Sequence, residues 1–297
     1  WMGGSLGVTP NNSGGWLASL LVIVGLSVLA MRKGRWSELR DWLAERQAQT
    51  ILAEVLFAVM FAAWVVVRSA NPDLATTEKP MELAFINAIL RSPSFPPHDP
   101  WLAGYGISYY YFGYLIVAML SGLSGAAAPV GFSLGLVTSF SLAGLGVYGV
   151  VYNLLAAQPK RRYAHVSALL APLFLLLLGN FAGPLDLMHS MGVFWRTLPD
   201  GQAASSFWSW LDIKDFKDPP AQPYDLKIER NWWWWRASRV ISDYDAGAGW
   251  EAVTQPGQTE GWREVIDEFP AFSFALGDLH PHVLSIPYVL LAIGLAF

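Results

Sequence analysis

Apolar residues in this chain gather into runs of about 17–27 positions, roughly the length a helix needs to cross ~30 Å of hydrocarbon. The pattern predicts membrane-crossing helices at about residues 15–31, 51–67, 130–156, 165–182 and 281–297. A further apolar segment, 109–125, opens on Tyr109, Tyr110 and Tyr111 and ends in small residues.

Charge decides how that segment is read. Basic residues in short loops mark the cytoplasmic side. They fall after the first span (Arg32, Lys33, Arg35, Arg40, Arg46) and after the third (Lys160, Arg161, Arg162). If 109–125 crossed the membrane, the two basic loops would lie on opposite faces. The sequence is therefore read with 109–125 as a surface-lying helix, its tyrosines acting as interfacial anchors or, alternatively, as contacts to a bound substrate. Two large external loops follow, 69–129 and 183–270. The fold class expected is an all-α polytopic transmembrane bundle forming one membrane domain. Because the chain opens on Trp1 and stops inside an apolar run, it reads as a fragment of a longer protein.

Composition supports this class. Hydrophobic residues make up 54% and charged residues 14%, well below the roughly 25% charged residues of an average soluble domain. A net charge of −4 argues against a nucleic-acid partner. The absence of cysteine removes disulfides, thiol catalysis and Cys-ligated metals. The second loop holds nine of the fifteen tryptophans, with 14 acidic against 8 basic residues. That is too aromatic for a linker, so it is expected to form a cap of short helices and turns, with Pro219, Pro220 and Pro223 near its middle and tryptophans at 232–235.

Candidate chemistry lies in the loops. Pro80 is placed like the first residue of a helix, which puts Glu82 in its first turn beside Lys79. There Glu82 either complements the helix dipole or serves as a general base or metal contact. His98 and Asp99 are held among Pro96, Pro97 and Pro100, a rigid setting that suits either a binding site or an ordinary turn. Asp278, His280 and His282 alternate, so an extended backbone would turn all three to one side. Asp plus two His is a plausible set for a divalent metal ion, and His also shuttles protons; equally, Asp278 could cap the fifth span. Asp267 and Glu268 could join that surface. Asp186 sits just beyond the fourth span. Arg239, or Arg236, follows the tryptophan run as a phosphate clamp or a salt-bridge partner. Glu54, near the start of the second span, needs no more than snorkelling or helix pairing.

The segments TEKPMELAFINAILRSPSFPPHDPWLAGYGISYYYFGYLI and EFPAFSFALGDLHPHVLSIPYV resemble the "YYY" membrane protein family of Chloroflexi and archaea. More distantly, the order of elements is similar to that of the C-type glycosyltransferases, which use polyprenyl-phosphate-linked sugars. That resemblance implies integral location in a prokaryotic cell membrane, with the functional loops outside. It puts Glu82 in the place of the first-loop catalytic acid, with Glu78 as a rival, and Asp186 in the place of the second-loop acid. The paired acidic motif of some members is absent, since Leu187 and Met188 follow Asp186. The implied reaction is displacement at an anomeric carbon. A carboxylate takes the acceptor proton, and Lys79, Arg239 or a histidine stabilises the departing lipid phosphate. The alternative reading is a non-enzymatic membrane subunit whose tryptophan-rich loop docks other membrane proteins.

Overall fold

The computed structural model describes residues 1–31, 35–158, 161–213, 216–220, 235–240, 242–244 and 262–297. Arg32, Lys33, Lys160, Pro223 and Trp232 to Trp234 lie outside the described residues. The chain divides into two compact units, Trp1–Leu176 with Ser273–Phe297, and Leu177–Phe272.

The first unit is helical. It contains α1 (Met2–Ser5), α2 (Ser13–Ala30), α3 (Arg35–Glu45), α4 (Gln47–Ala70), α5 (Lys79–Arg91), α6 (Phe112–Ser124) and α7 (Ala128–Ala156). The short α8 (Ala164–Ala168) and α9 (Leu170–Leu173) follow. Among the described residues, α2, α4 and α7 are long and apolar enough to cross a membrane; a fourth span exists if Ala164–Leu178 and Ala182–Ser190 form one broken span. On α2, Leu21, Val22, Ile23 and Leu26 are 60–70% exposed. Such a continuous apolar face is stable only against hydrocarbon or another chain. The protein is an integral membrane protein.

Side-chain pairs fix the helix directions. The Trp64 ring stacks on Phe140 with centroids 3.9 Å apart, and Met60 lies over Gly144, so α4 and α7 run antiparallel. On the next helix His165 Nδ1 meets the Tyr148 hydroxyl at 3.1 Å while Leu176 reaches Gly144, which reverses direction again. The start of α4, the end of α7 and the start of α8 therefore lie at the same end of the bundle.

The chain also leaves α4 and begins α7 at one end, so α6 does not carry it across. Nor does α6 lie flat, as the sequence reading had it. It stands antiparallel to the opening half of α7. A Cβ at Gly131 would overlap Ser121, and one at Gly135 would come within 2.8 Å of Val117. Two glycines four apart let the helix backbones approach closely. That packing buries Tyr114, Leu115, Val117, Ala118 and Ser121, a face that a surface position would leave without partners.

The second unit holds α10 (Ala182–Ser190), α11 (Ser206–Leu211) and two small antiparallel sheets. Strand β1 (Arg196–Thr197) pairs with β2 (Ala203–Ala204), and β3 (Ser242–Tyr244) with β4 (Trp262–Glu264). These strands depart from the all-α expectation. The first pair closes a short turn in which Asp200 Oδ1 accepts the Gln202 N–H. The core of this unit is Trp208, fully buried against Phe216. Ser205 caps α11 at the Trp208 N–H, and the Trp208 Nε1–H donates to the Val193 carbonyl. His189, edge-on to Trp208, completes the cluster. The chain continues through α12 (Pro270–Leu276) to α13 (Pro281–Ala296). In the first unit α13 runs parallel to α7, with Leu290 against Gly146 and Gly294 against Val150.

Candidate functional site

Helix α5 starts at Lys79, one residue before the position the sequence gives, with Pro80 in its first turn. Glu78 and Glu82 are one helical turn apart, so they share a face. Their environments differ completely. Glu82 is 0% exposed; its Oε2 accepts the Leu279 N–H at 2.8 Å and its Oε1 accepts from the Tyr114 hydroxyl at 3.4 Å. Burial pushes the Glu82 carboxyl up from 4.5 to about 7, against the Leu279 hydrogen bond, which lowers it. The nearby charges of Asp278 and Glu78 raise it further, and His280 lowers it.

Glu78 instead keeps half its side chain in solvent and meets His280 Nε2 at 2.7 Å through Oε2. The rings of His280 and His282 lie 5.2 Å apart, and His282 Nε2 contacts the Ser273 hydroxyl at 3.0 Å. Asp278 turns inward: it is buried and accepts from Thr77 Oγ1 at 2.5 Å. It does not share a ligand position with His280 and His282. The three alternating residues are therefore split, two histidines outward and one carboxylate held inward by Thr77; Pro281 opens α13, so the extended backbone that would align all three does not run on through His282.

Lys79 is also buried, its Nζ donating to the Leu276 carbonyl at 3.1 Å. Arg68, in the last turn of α4, is 5% exposed. Its Nε and Nη2 have no hydrogen-bond partner, and its Nη1 packs on Gly277. Arg68 carries no sequence signal of this setting, because one charge at the end of an apolar run looks like a span boundary. Tyr114, Thr77 and Ser273 likewise lie in no motif.

The tyrosine triplet opens onto an apolar groove of about 960 Å³. Tyr109, Tyr110, Tyr111 and Phe112 form one wall. The other is a stripe of α13, His282, Ser285, Tyr288 and Val289, spaced as one helix face. His98 and Asp99 lie apart from this groove, at a separate polar cavity of about 400 Å³ that Asn87 and Arg91 of α5 also line. Asp99 Oδ1 accepts the N–H groups of Trp101 and Leu102, so that carboxylate shapes its own turn.

Asp186 and Arg239 belong to the second unit. Asp186 accepts from the Ser190 hydroxyl at 3.4 Å, one turn along α10. The Arg239 guanidinium lies 4.0 Å over the Trp235 ring and donates to Ser238 Oγ, which holds it as a stacked cation. Asp267 donates its backbone N–H to the Ser238 carbonyl in the same unit, where Glu268 also lies. Arg236 lines a small apolar cavity of about 200 Å³ there.

No curated protein and no solved structure matches this chain. Over its whole length, residues 1–297, the chain matches the family described as uncharacterized membrane protein (DUF2298), and it belongs to that family.

Proposed function

We propose that this protein is a membrane glycosyltransferase that moves a sugar from a polyprenyl-phosphate-linked donor to an acceptor on the non-cytoplasmic face. The observation that carries the reading is the Glu78–His280 contact, two residues from His282, which lines a large aromatic groove on a membrane helix. The groove suits an isoprenoid tail along Tyr288 and Val289, with the sugar-phosphate head near His282. Aromatic walls of this kind stack on the apolar faces of sugars and prenyl units.

Chemically, the Glu78–His280 pair removes the proton of the acceptor hydroxyl. The acceptor oxygen then bonds to the anomeric carbon, the bond from that carbon to the phosphate oxygen breaks, and the phosphate leaves with the electron pair. His282 stabilises the leaving group. Glu78 takes the role that the family resemblance implied for Glu82, because an acceptor hydroxyl reaches a half-exposed carboxylate and not an enclosed one. Glu82 is then a positioning residue that ties α5 to the segment carrying the histidines.

The test is transfer of a labelled sugar from synthetic polyprenyl-phosphate donors by the purified chain in liposomes. Glu78→Gln and His280→Ala should each lower the rate by about 10²–10⁴-fold, the usual contribution of general base catalysis, without unfolding the protein. Wild-type rates in both variants, or no transfer from any such donor, would reject the reading. A second reading, a non-enzymatic membrane subunit, draws support from the second unit, where Trp210 and Phe181 are each 76% exposed. Large exposed aromatic side chains mark docking surfaces.

A further inference from the structure

Arg68 presents a problem that the proposed reaction does not solve. Its guanidinium is enclosed at the end of α4, and Nε and Nη2 donate to nothing. A buried charged donor without an acceptor keeps the full cost of its lost hydration. Asp278 and Asp73 attract it electrostatically, yet neither accepts a hydrogen bond from those nitrogens.

Arg68 lines a cavity of about 330 Å³ between α4 and α7. The opposite side of that cavity is the opening turn of α7, through Pro129, Val130 and Ser133. This helix runs 29 residues and has no side-chain cap at Ala127. Its first backbone hydrogen bond is from Gly131 N–H to the Ala127 carbonyl, so the N–H groups of Ala128 and Val130 precede it. An uncapped helix N-terminus carries a partial positive charge and favours anions. Arg68 and the opening turn of α7 thus line one cavity. Below them its walls are apolar, formed by Val65, Leu134 and Val137.

We propose that this cavity binds a lipid through its phosphate group, with Arg68 and the first turn of α7 holding the phosphate and the tail lying along Val65, Leu134 and Val137. Arg is suited to this role because its planar fork matches phosphate oxygens in pairs. The site is separate from the aromatic groove and does not depend on the transferase reading.

The experiment uses the full chain purified in a neutral detergent and followed by native mass spectrometry. It compares phosphatidylglycerol, a polyprenyl phosphate, a neutral diacylglycerol and inorganic phosphate. Wild type should retain either phospholipid or polyprenyl phosphate at least tenfold better than diacylglycerol, with inorganic phosphate displacing neither at equal concentration. Arg68→Gln should abolish that preference, and Arg68→Lys should restore part of it. Since Arg68 is buried, Leu134→Trp gives a second route: it fills the cavity, leaves the arginine in place, and should lower retention as strongly. Equal retention of diacylglycerol, displacement by inorganic phosphate alone, or unchanged retention in both Arg68→Gln and Leu134→Trp would overturn the proposal.

Discussion

Glu82 and Leu279 are 197 positions apart in the chain, and the carboxylate of the first accepts the backbone N–H of the second at 2.8 Å. The contact joins the first turn of α5 to the residue just before the two histidines, so a fully enclosed acid holds the backbone of the proposed site.

That acid should make stability pH-dependent. Its carboxyl is raised from 4.5 to about 7 by burial, so the folded protein binds this proton more tightly than the unfolded chain. The contribution of Glu82 is therefore greatest below pH 4.5, falls as pH rises from there to about 7, and is constant above. The raised pKa corresponds to a loss on the order of 3 kcal/mol across that window. Thermal melts in detergent should show a falling Tm from pH 5 to pH 8. Glu82→Gln keeps an acceptor for Leu279 without the charge and should flatten that slope; an unchanged slope would remove Glu82 as its source.

Gly277→Ala is expected to destabilise the protein for two reasons that act together. Gly277 has φ +84°, a left-handed conformation that costs other residues energy. A Cβ there would also run into the Arg68 guanidinium, which has little freedom to move. A loss of roughly 1–3 kcal/mol is expected, read as a lower Tm. Gly125→Ala is the control, since it shares a positive φ of 73° but meets no neighbour; equal losses in the two would show that the arginine contact contributes nothing.

Asn11 should matter more than its place near the chain start suggests. It is 7% exposed, and its amide donates to the Ile89 and Ser92 carbonyls at 2.7 Å each while accepting the Trp16 indole N–H at 2.8 Å. It thus satisfies buried carbonyls at the end of α5 and ties that end to α2. Asn11→Ala leaves three buried groups unpaired, for a cost of about 2–4 kcal/mol. Tryptophan fluorescence should report the released indole. A melt indistinguishable from wild type would show that water replaces the amide without cost.

What the sequence made legible follows from what periodicity encodes. Long apolar runs marked α2, α4 and α7, because span length is a bulk property. Pro80 marked the start of α5, because a missing N–H has few tolerable positions in a helix. The attitude of α6 was not legible: an apolar helix with a tyrosine-rich start suits an interface as well as it suits the side of α7. Only the small residues Gly131 and Gly135 on the partner helix decide between them. Likewise Glu78 and Glu82 look equivalent one turn apart. The difference comes from Tyr114 and Leu279, which are distant in sequence and enclose only Glu82. The split of Asp278 from the histidines has the same origin, since Thr77, 201 positions away, holds Asp278 inward.

Sidedness is directly testable because the chain has no cysteine, so any introduced thiol reports alone. Tyr110 is 78% exposed beside the groove, and Pro100 is exposed in the same loop region. Asp41 on α3 and Gln158 after α7 are exposed near the basic loops. With α4 and α7 antiparallel, α4 leads into the loop region of the first pair, while the second pair flanks the other ends of the same helices. Basic loops favour the cytoplasm, so a membrane-impermeant maleimide applied to intact cells should label Tyr110→Cys and Pro100→Cys. It should reach Asp41→Cys and Gln158→Cys only after permeabilisation. Labelling of Tyr110→Cys and Gln158→Cys from one side would break the antiparallel arrangement of α4 and α7. Labelling of the second pair alone would keep that arrangement but invert the protein, placing the aromatic groove and the Glu78–His280 pair in the cytoplasm, where a donor displayed on the outer face could not reach them.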